Sequence, residues 1–532
     1  MRRNAAPSLK VKSTLATESI DTLFARYGPS YRWLVTLTGM MGSMVMILAS
    51  TMANVAVPSI MGTYGVGQDQ AQWMASAFLA TMTASQLLGA WIIAAMGARV
   101  GYLAAVAIFF VGSLICAGAP NIDILIFGRV VQGFAAGAVQ PVTLVVIFRA
   151  YPADQRGLAM SLYAMGIMIA PIMGPVVGGI TIDWISWRHV FFIPLPVAGL
   201  AMLMAVLFMP TKDPTVKRPP FDWSGYILVC LAIVCLMTAI ANGQHDGWVS
   251  DRIMGLFLLG GGLATAFVVS QYRSPAPILN FAVFKHQQFV IAAILGFVFG
   301  AGNFGSTYII PVFVQTVQDF TPTAAGMVTV PAGIVVMCLY PVMGRLVDNF
   351  PIRYLAMIGL ALFAFGMILF VTTDVNTAFW TLAFFGVIGR LGFSIMIPAI
   401  NVSALAALPP EQLDQGAGTI NFVRLMGGAF GVNLIVVFME QRTEFHSISF
   451  TATQTSQNSA SRELLGQVTG LLQQGGVAEA FHQPGALHFL GQVIEAQANT
   501  LGFKDGFLIL AVVFLLALVP AWRMGSGKRR TR

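Results

Sequence analysis

The chain has 532 residues, 57% of them hydrophobic and 9% charged, with a formal net charge of +8 and a mean hydropathy of +0.78. That composition excludes a soluble globular protein of this length and points to a polytopic membrane protein, whose backbone must close its own hydrogen bonds in lipid. Apolar runs of about 20 residues, rather than alternating segments of about ten, select an all-α architecture over a barrel.

Residues 1–32 are polar and basic, with Arg2, Arg3, Lys10, Lys12, Arg26 and Arg32. They lack the apolar core and cleavage site of a signal peptide and read as a cytoplasmic tail. Spans follow near 33–57, 71–95, 101–119, 122–149, 157–182 and 189–209, a first six-helix bundle over 33–210. A proline-rich break, Pro210 to Pro220, opens a region over 211–287 that carries two more spans, near 223–242 and 252–270. A second six-helix bundle over 288–522 has spans near 288–317, 323–343, 353–372, 377–405, 415–439 and 505–522. A long loop, 440–503, precedes its last helix, and 523–532 is a basic tail. The expected count is fourteen spans, each long enough to cross with some tilt.

Charge tests that count. With the amino terminus inside, cytoplasmic segments hold 21 of the 29 Lys and Arg, and outside segments hold only Arg188, Arg252, Arg442, Arg462 and Lys504. The asymmetry obeys the positive-inside rule and puts both termini in the cytoplasm. The basic balance is therefore an orientation signal, which argues against a nucleic-acid partner. Cys116, Cys230, Cys235 and Cys338 all fall in apolar runs with no metal spacing and read as core residues.

The stretch from Ile126 to Gly179 carries two patterned helices. In the first, Arg129, Gln132, Ala136, Gln140 and Thr143 recur every three or four residues and share one face. An arginine at bilayer depth is costly and normally faces a water-filled or protein-lined interior, so Arg129 is expected on a pathway; a structural arginine bonded to a neighbouring helix is the alternative. In the second, Gly166, Ala170, Gly174 and Gly178 form a small-xxx-small seam that admits another backbone. Pro171 and Pro175 lie in that seam and remove backbone donors, which suggests a hinge between helices that shift.

The chain also repeats itself. Gly344, Asp348 and Arg353 have the spacing of Ala90, Ala94 and Arg99, and Arg390 echoes Arg129. Internal repetition in a helical membrane protein points to a transporter built from two halves.

Arg129-Val-Val-Gln132-Gly133 and Gly174-Pro175-Val-Val-Gly178-Gly179 resemble two motifs of the major facilitator superfamily, the second its antiporter motif. Leu48 to Pro58, Pro311-Val-Phe-Val-Gln315, Arg424-Leu-Met-Gly427-Gly428 and the long loop before the last helix resemble the fourteen-helix EmrB/QacA-type multidrug antiporters. The resemblance covers nearly the whole chain. It implies two six-helix bundles plus an inserted central pair in a bacterial inner membrane. The implied activity is secondary efflux of small amphipathic compounds, drugs among them, by proton-coupled alternating access. It implies no cofactor, the proton motive force being the driver. In the resembled subgroup a periplasmic adaptor joins the transporter to an outer-membrane channel, and the 440–503 loop, with short helices expected at Arg462–Gln474 and Leu487–Ala498, is the segment that would meet it.

Pathway faces are expected at Asn54 with Ser43 and Ser50, at Arg129, Gln132 and Gln140, at Arg390, Ser394, Pro398 and Asn401, and at Asn421 with Arg424. Together these would meet in one midplane cavity between the halves, although a lone Asn or Ser is more often interhelical glue. The conformational set is Gly174, Pro175, Gly178, Gly179, Gly344, Asp348 and Arg353. Every one of the 21 Asp and Glu falls in a tail, a loop or at a span end, and Ala49 stands where the resembled family has an aspartate in its first helix. An arginine-bearing cavity without carboxylates is expected to favour anionic or weakly acidic amphiphiles over cationic dyes. Asp222 and Asp319 are the substitutes considered for a proton carrier. No nucleophile–base pair, metal cluster or phosphate loop supports an enzyme. The alternatives are an exporter dedicated to one metabolite or siderophore, an uncoupled facilitator, or a non-transporting membrane scaffold or sensor.

Overall fold

The structure, a computed structural model, describes residues 18–524 except 153–154, 213–219, 276, 410–411 and 456. A short amphipathic helix, α1 (Ile20–Tyr27), starts where the Ser19 side chain accepts the Thr22 N–H, and it buries Leu23. The first bundle follows as α2 (Tyr31–Tyr64), α3 (Gln68–Ala71), α4 (Trp73–Gln86), α5 (Gly89–Met96), α6 (Ala98–Ala117), α7 (Ile122–Ala150), α8 (Arg156–Trp184) and α9 (Pro194–Phe208). An added pair, α10 (Trp223–Asp246) and α11 (Asp251–Arg273), leads to the second bundle. That bundle comprises α12 (Gln287–Thr316), α13 (Pro322–Val328), α14 (Val330–Asn349), α15 (Ile352–Val371), α16 (Phe379–Ala406), α17 (Leu413–Thr453), α18 (Ser459–Gln474), α19 (His482–Leu516) and α20 (Leu518–Trp522).

Small residues decide which helices touch. A Cβ at Gly133 would overlap the Phe78 carbonyl, and one at Gly137 the Met82 carbonyl, so α7 lies backbone to backbone on α4. The α8 seam is used as its spacing predicts: Gly166, Gly174 and Gly178 seat Met40, Thr51 and Met52 of α2. Pro171 and Pro175 sit inside an uninterrupted α8. In the second bundle much of the phenylalanine content is packing, as where the Phe363 ring lies 4.3 Å from Phe393 and 4.1 Å from Phe514.

Among the described residues, thirteen helices are long and apolar enough to cross a membrane, against fourteen expected. The difference lies at 71–95, where α4 and α5 are separate short helices joined by a tightened turn at Leu87 and Leu88 that keeps helical dihedrals. Gly89 follows the turn, and the Pro141 ring of α7 packs where its side chain would be. The second departure is at 440–503. α17 runs on to Thr453, and the expected 487–498 helix is the first part of an unbroken α19, with α18 beside it. The predicted loop is thus a helical projection of the two spans that flank it.

The added pair is lipid-facing on most of α11, where Leu258 is 73% exposed. α10 is tied to the second bundle by Asn433 Nδ2 donating to the Met237 carbonyl at 3.0 Å. Gln315 near the end of α12 reaches Val55 of α2, so the two bundles run side by side with the same ends together. Gln288, at the start of α12, donates to the Arg523 carbonyl, and Glu18 holds Thr211 and Arg99. Both ends of the described chain therefore lie at one end of the molecule, here the tail end, opposite the helical projection at the loop end.

Candidate functional site

Arg129 is fully buried, and its surroundings belong to the first bundle alone. Its Nε donates to the Met74 carbonyl of α4 at 2.9 Å, its Nη1 to Gln132 Oε1 at 2.9 Å, and its guanidinium lies 4.2 Å from the Phe78 ring centre. Gln132 Nε2 in turn donates to Ser113 of α6 at 2.7 Å. Thr143, farther along the same stripe, packs on Gly39 of α2. The polar stripe of α7 is thus turned toward α4, α6 and α2, with Arg129 and Gln132 bonded inside the first bundle. A buried guanidinium needs fixed acceptors, and the α4–α7 contact supplies them to Nε and Nη1, while Nη2 is buried with no hydrogen-bond partner among the described residues. Gln140, about two turns beyond Gln132, is half-buried, and Asn54 on α2 is buried.

The second bundle treats its arginines differently. Arg390 is half-buried; its Nη1 donates to Asn303 Oδ1 and its Nη2 to Thr307 Oγ1, both at 2.6 Å. Both acceptors sit one turn apart on α12 and are neutral, so nothing among these contacts cancels the charge. Beside Arg390 lies a cavity of about 20 Å³ lined by Ser306, Thr329 and Gly386, large enough for a water. Arg424 donates to Asn421, the turn-apart pair predicted on α17; both are half-buried, as is Asn401 on α16. Asn303 and Thr307 were not singled out from sequence, although their spacing of four on an apolar helix was the available signal.

The bundles close on each other at the loop end. Gln315 Nε2 donates to the Val55 carbonyl at 3.1 Å, and the Thr323 N–H to Asp183 Oδ2 at 3.0 Å. The tightest approach is reciprocal: a Cβ at Gly179 of α8 would overlap the Pro322 carbonyl, and one at Gly326 of α13 would overlap the Pro175 carbonyl. So Gly174 and Gly178 pack within the first bundle, while Pro175 and Gly179 face the second. Gly326 is the partner that sequence reasoning missed.

At the tail end, Gly344 and Asp348 lie in α14, but their side chains fall outside the described residues. Arg353, at the start of α15, donates to Tyr354 Oη at 2.8 Å and stacks on its ring. In the first copy, where Ala94 replaces the acid, Arg99 is met instead by the Glu18 carboxylate from the preceding segment. Ala49 is buried. Asp222 caps α10 through the Gly225 N–H at 2.9 Å and is bonded by Gln271 at 2.7 Å. Burial raises its carboxyl, but hydrogen bonds from Gly225, Ser224, Gln271 and Ser274 outweigh that and hold it below the usual carboxylate range. A carboxylate fixed as a helix cap is poorly suited to carry protons. Asp319 adopts a left-handed turn, with φ 52°.

The family model described as Major Facilitator Superfamily matches residues 39–432. Among curated relatives, the multidrug export protein EmrB of Haemophilus influenzae is 27% identical over 494 residues, covering 92% of this chain and 95% of that one. The fatty acid resistance protein FarB of Neisseria gonorrhoeae is 26% identical over 507 residues, covering 93% and 96%. Among solved structures, a POT family transporter in complex with 5-aminolevulinic acid superposes with a TM-score of 0.64 at 12% identity, covering 91% of this chain and 94% of that one.

Proposed function

The chain belongs to the major facilitator superfamily, and from that premise we propose that it is a secondary active exporter of small amphipathic compounds, weakly acidic ones foremost. It is a multi-pass membrane transporter of the EmrB type and not an enzyme. The cycle we propose is alternating access: the two bundles part at the loop end to release substrate and part at the tail end to take it up, driven by proton entry. The loop end faces outside and both termini face the cytoplasm of a bacterial inner membrane, as the lysine and arginine distribution supports.

The observation that carries the substrate class is Arg390. Its guanidinium is held at mid-helix by neutral Asn303 and Thr307, so its charge is available to an anionic head group. The apolar helix faces around it suit an aliphatic or aromatic body. The name of the FarB relative, a fatty acid resistance protein, supports an acidic amphiphile, and the EmrB names support export. With proton entry as the driver the acid leaves as its anion, because an acid that left protonated would carry a proton outward against the gradient, and the inward proton rides on a group of the protein other than Ala49. A periplasmic adaptor, with an outer-membrane channel beyond it, remains our proposed partner for the helical projection.

The test is protection of an efflux-deficient host. Expression is expected to raise tolerance to medium-chain fatty acids and other weakly acidic toxicants more than to lipophilic cationic dyes. The reverse order of protection contradicts the substrate assignment.

A further inference from the structure

Glycine inside a helix is destabilising relative to alanine, so a glycine in mid-span calls for a physical reason. On α16, Gly392 has one: a Cβ there would overlap the Gly359 carbonyl of α15. Gly386, on the same helix, has no such reason, because a Cβ there would meet nothing nearer than Ala332 Cβ at 4.0 Å. It lines the cavity of about 20 Å³ beside Arg390, and its missing side chain keeps that space open.

The polar groups around the cavity define what it can hold. Arg390 offers only N–H donors. The buried Ser306 hydroxyl donates to the Asn303 carbonyl at 3.2 Å and the Thr329 hydroxyl to the Gly326 carbonyl at 2.9 Å, so both oxygens have lone pairs left. An occupant must therefore accept from the guanidinium and donate to the hydroxyls; an anion cannot donate, whereas one water does both and fits this volume. Thr329 is also where the helix tightens. Its N–H reaches the Gly326 carbonyl three residues back at 3.2 Å, and Pro331 removes a donor just beyond, the local geometry of a hinge. Gly326 is the residue whose Cβ would overlap the Pro175 carbonyl across the bundle interface.

We propose that this cavity is a water site joining Arg390 to Thr329, and that Thr329 is a positioning residue through which the loop-end contact responds to substrate. The link rests on Arg390 as the seat of the substrate carboxylate. With no acid bound, the water accepts from the guanidinium and donates to Thr329, whose own proton holds the Gly326 carbonyl in the closed turn. A carboxylate draws the guanidinium to itself, the water loses its donor, and the turn at Thr329 is released. Substrate thereby favours parting of the loop end, which is the order of events that export requires.

The experiment titrates decanoate into the purified full chain in detergent, with spin labels on cysteines at the exposed positions Ile180 and Met327 in a cysteine-free background. Wild type is expected to bind decanoate saturably and to shift its parted-to-closed ratio by roughly fivefold or more. Gly386→Ala, which enters the cavity without overlap, and Thr329→Val, which removes the hydroxyl at similar size, are expected to bind decanoate with no such shift. Thr329→Ser is expected to restore it. A shift of wild-type size in either of the first two variants, none in Thr329→Ser, or binding without a shift in wild type overturns the coupling and leaves Arg390 as the substrate seat. Absence of saturable binding in wild type, or equal binding in Arg390→Gln, overturns the substrate seat and the coupling with it.

Discussion

Gly326→Ala is the substitution that most directly loads the contact between the bundles. The added Cβ meets the carbonyl of Pro175, a backbone atom of a packed helix, and cannot be relieved by a side-chain rotation. Overpacking of this kind costs about 1–3 kcal/mol. The contact exists only while the loop end is closed, so the cost falls on that state alone and moves the closed-to-open ratio by roughly 5- to 160-fold toward open. Ile180 on α8 and Met327 on α13 are both exposed and flank the contact, so cysteines placed there in a cysteine-free background can carry spin labels. Pulsed distance measurements are expected to show a longer, outward-parted population in Gly326→Ala, and the same change in Gly179→Ala. Gly199→Ala on α9 meets open space and serves as the unperturbed control. If Gly326→Ala keeps the wild-type distance distribution, the reciprocal glycine contact does not govern closure and the reasoning fails.

Arg129→Ala removes the guanidinium donor from the buried Gln132 carboxamide oxygen, at about 1–3 kcal/mol; thermal unfolding in detergent should drop clearly, whereas an unchanged midpoint with altered selectivity would place Arg129 on the pathway. Arg390→Gln keeps hydrogen-bonding capacity without charge, so export of weak acids into vesicles should fall by roughly tenfold or more at normal expression. Asp222→Ala removes a cap and should cost about 1 kcal/mol of stability above the carboxylate range. Because the folded carboxyl of Asp222 is held low, that contribution is complete above about pH 4 and is lost as pH falls through the depressed value, so wild type and variant should converge in acid.

Most of the architecture was legible because the bilayer leaves few options. Apolar run length and lysine–arginine placement gave the spans, and a spacing of four gave the α8 seam that Met40, Thr51 and Met52 fill. What local pattern left open was which neighbours the costly polar groups would bond. Arg129 found its acceptors in the Met74 carbonyl and in Gln132, and no periodicity within α7 could reveal a carbonyl on α4. The tightened turn at Leu87–Leu88 lies beside the packing of Pro141 on Gly89, a tertiary contact absent from local pattern. The 440–503 segment carries Ser, Thr and Gln that suggested a loop, yet α17 and α19 continue helical through it because helices already nucleated in the spans extend at little cost. Glu18 could not be tied to Arg99 from sequence, since 81 residues separate them.

The central claim is that two rocking bundles export an acidic amphiphile at the expense of the proton gradient. Everted membrane vesicles energised to an acidic interior and given radiolabelled decanoate test it in one measurement. The account predicts accumulation above the passive level that collapses on adding a protonophore and is lost in Arg390→Gln. Uptake that ignores the pH gradient, or that matches vesicles lacking the protein, contradicts it.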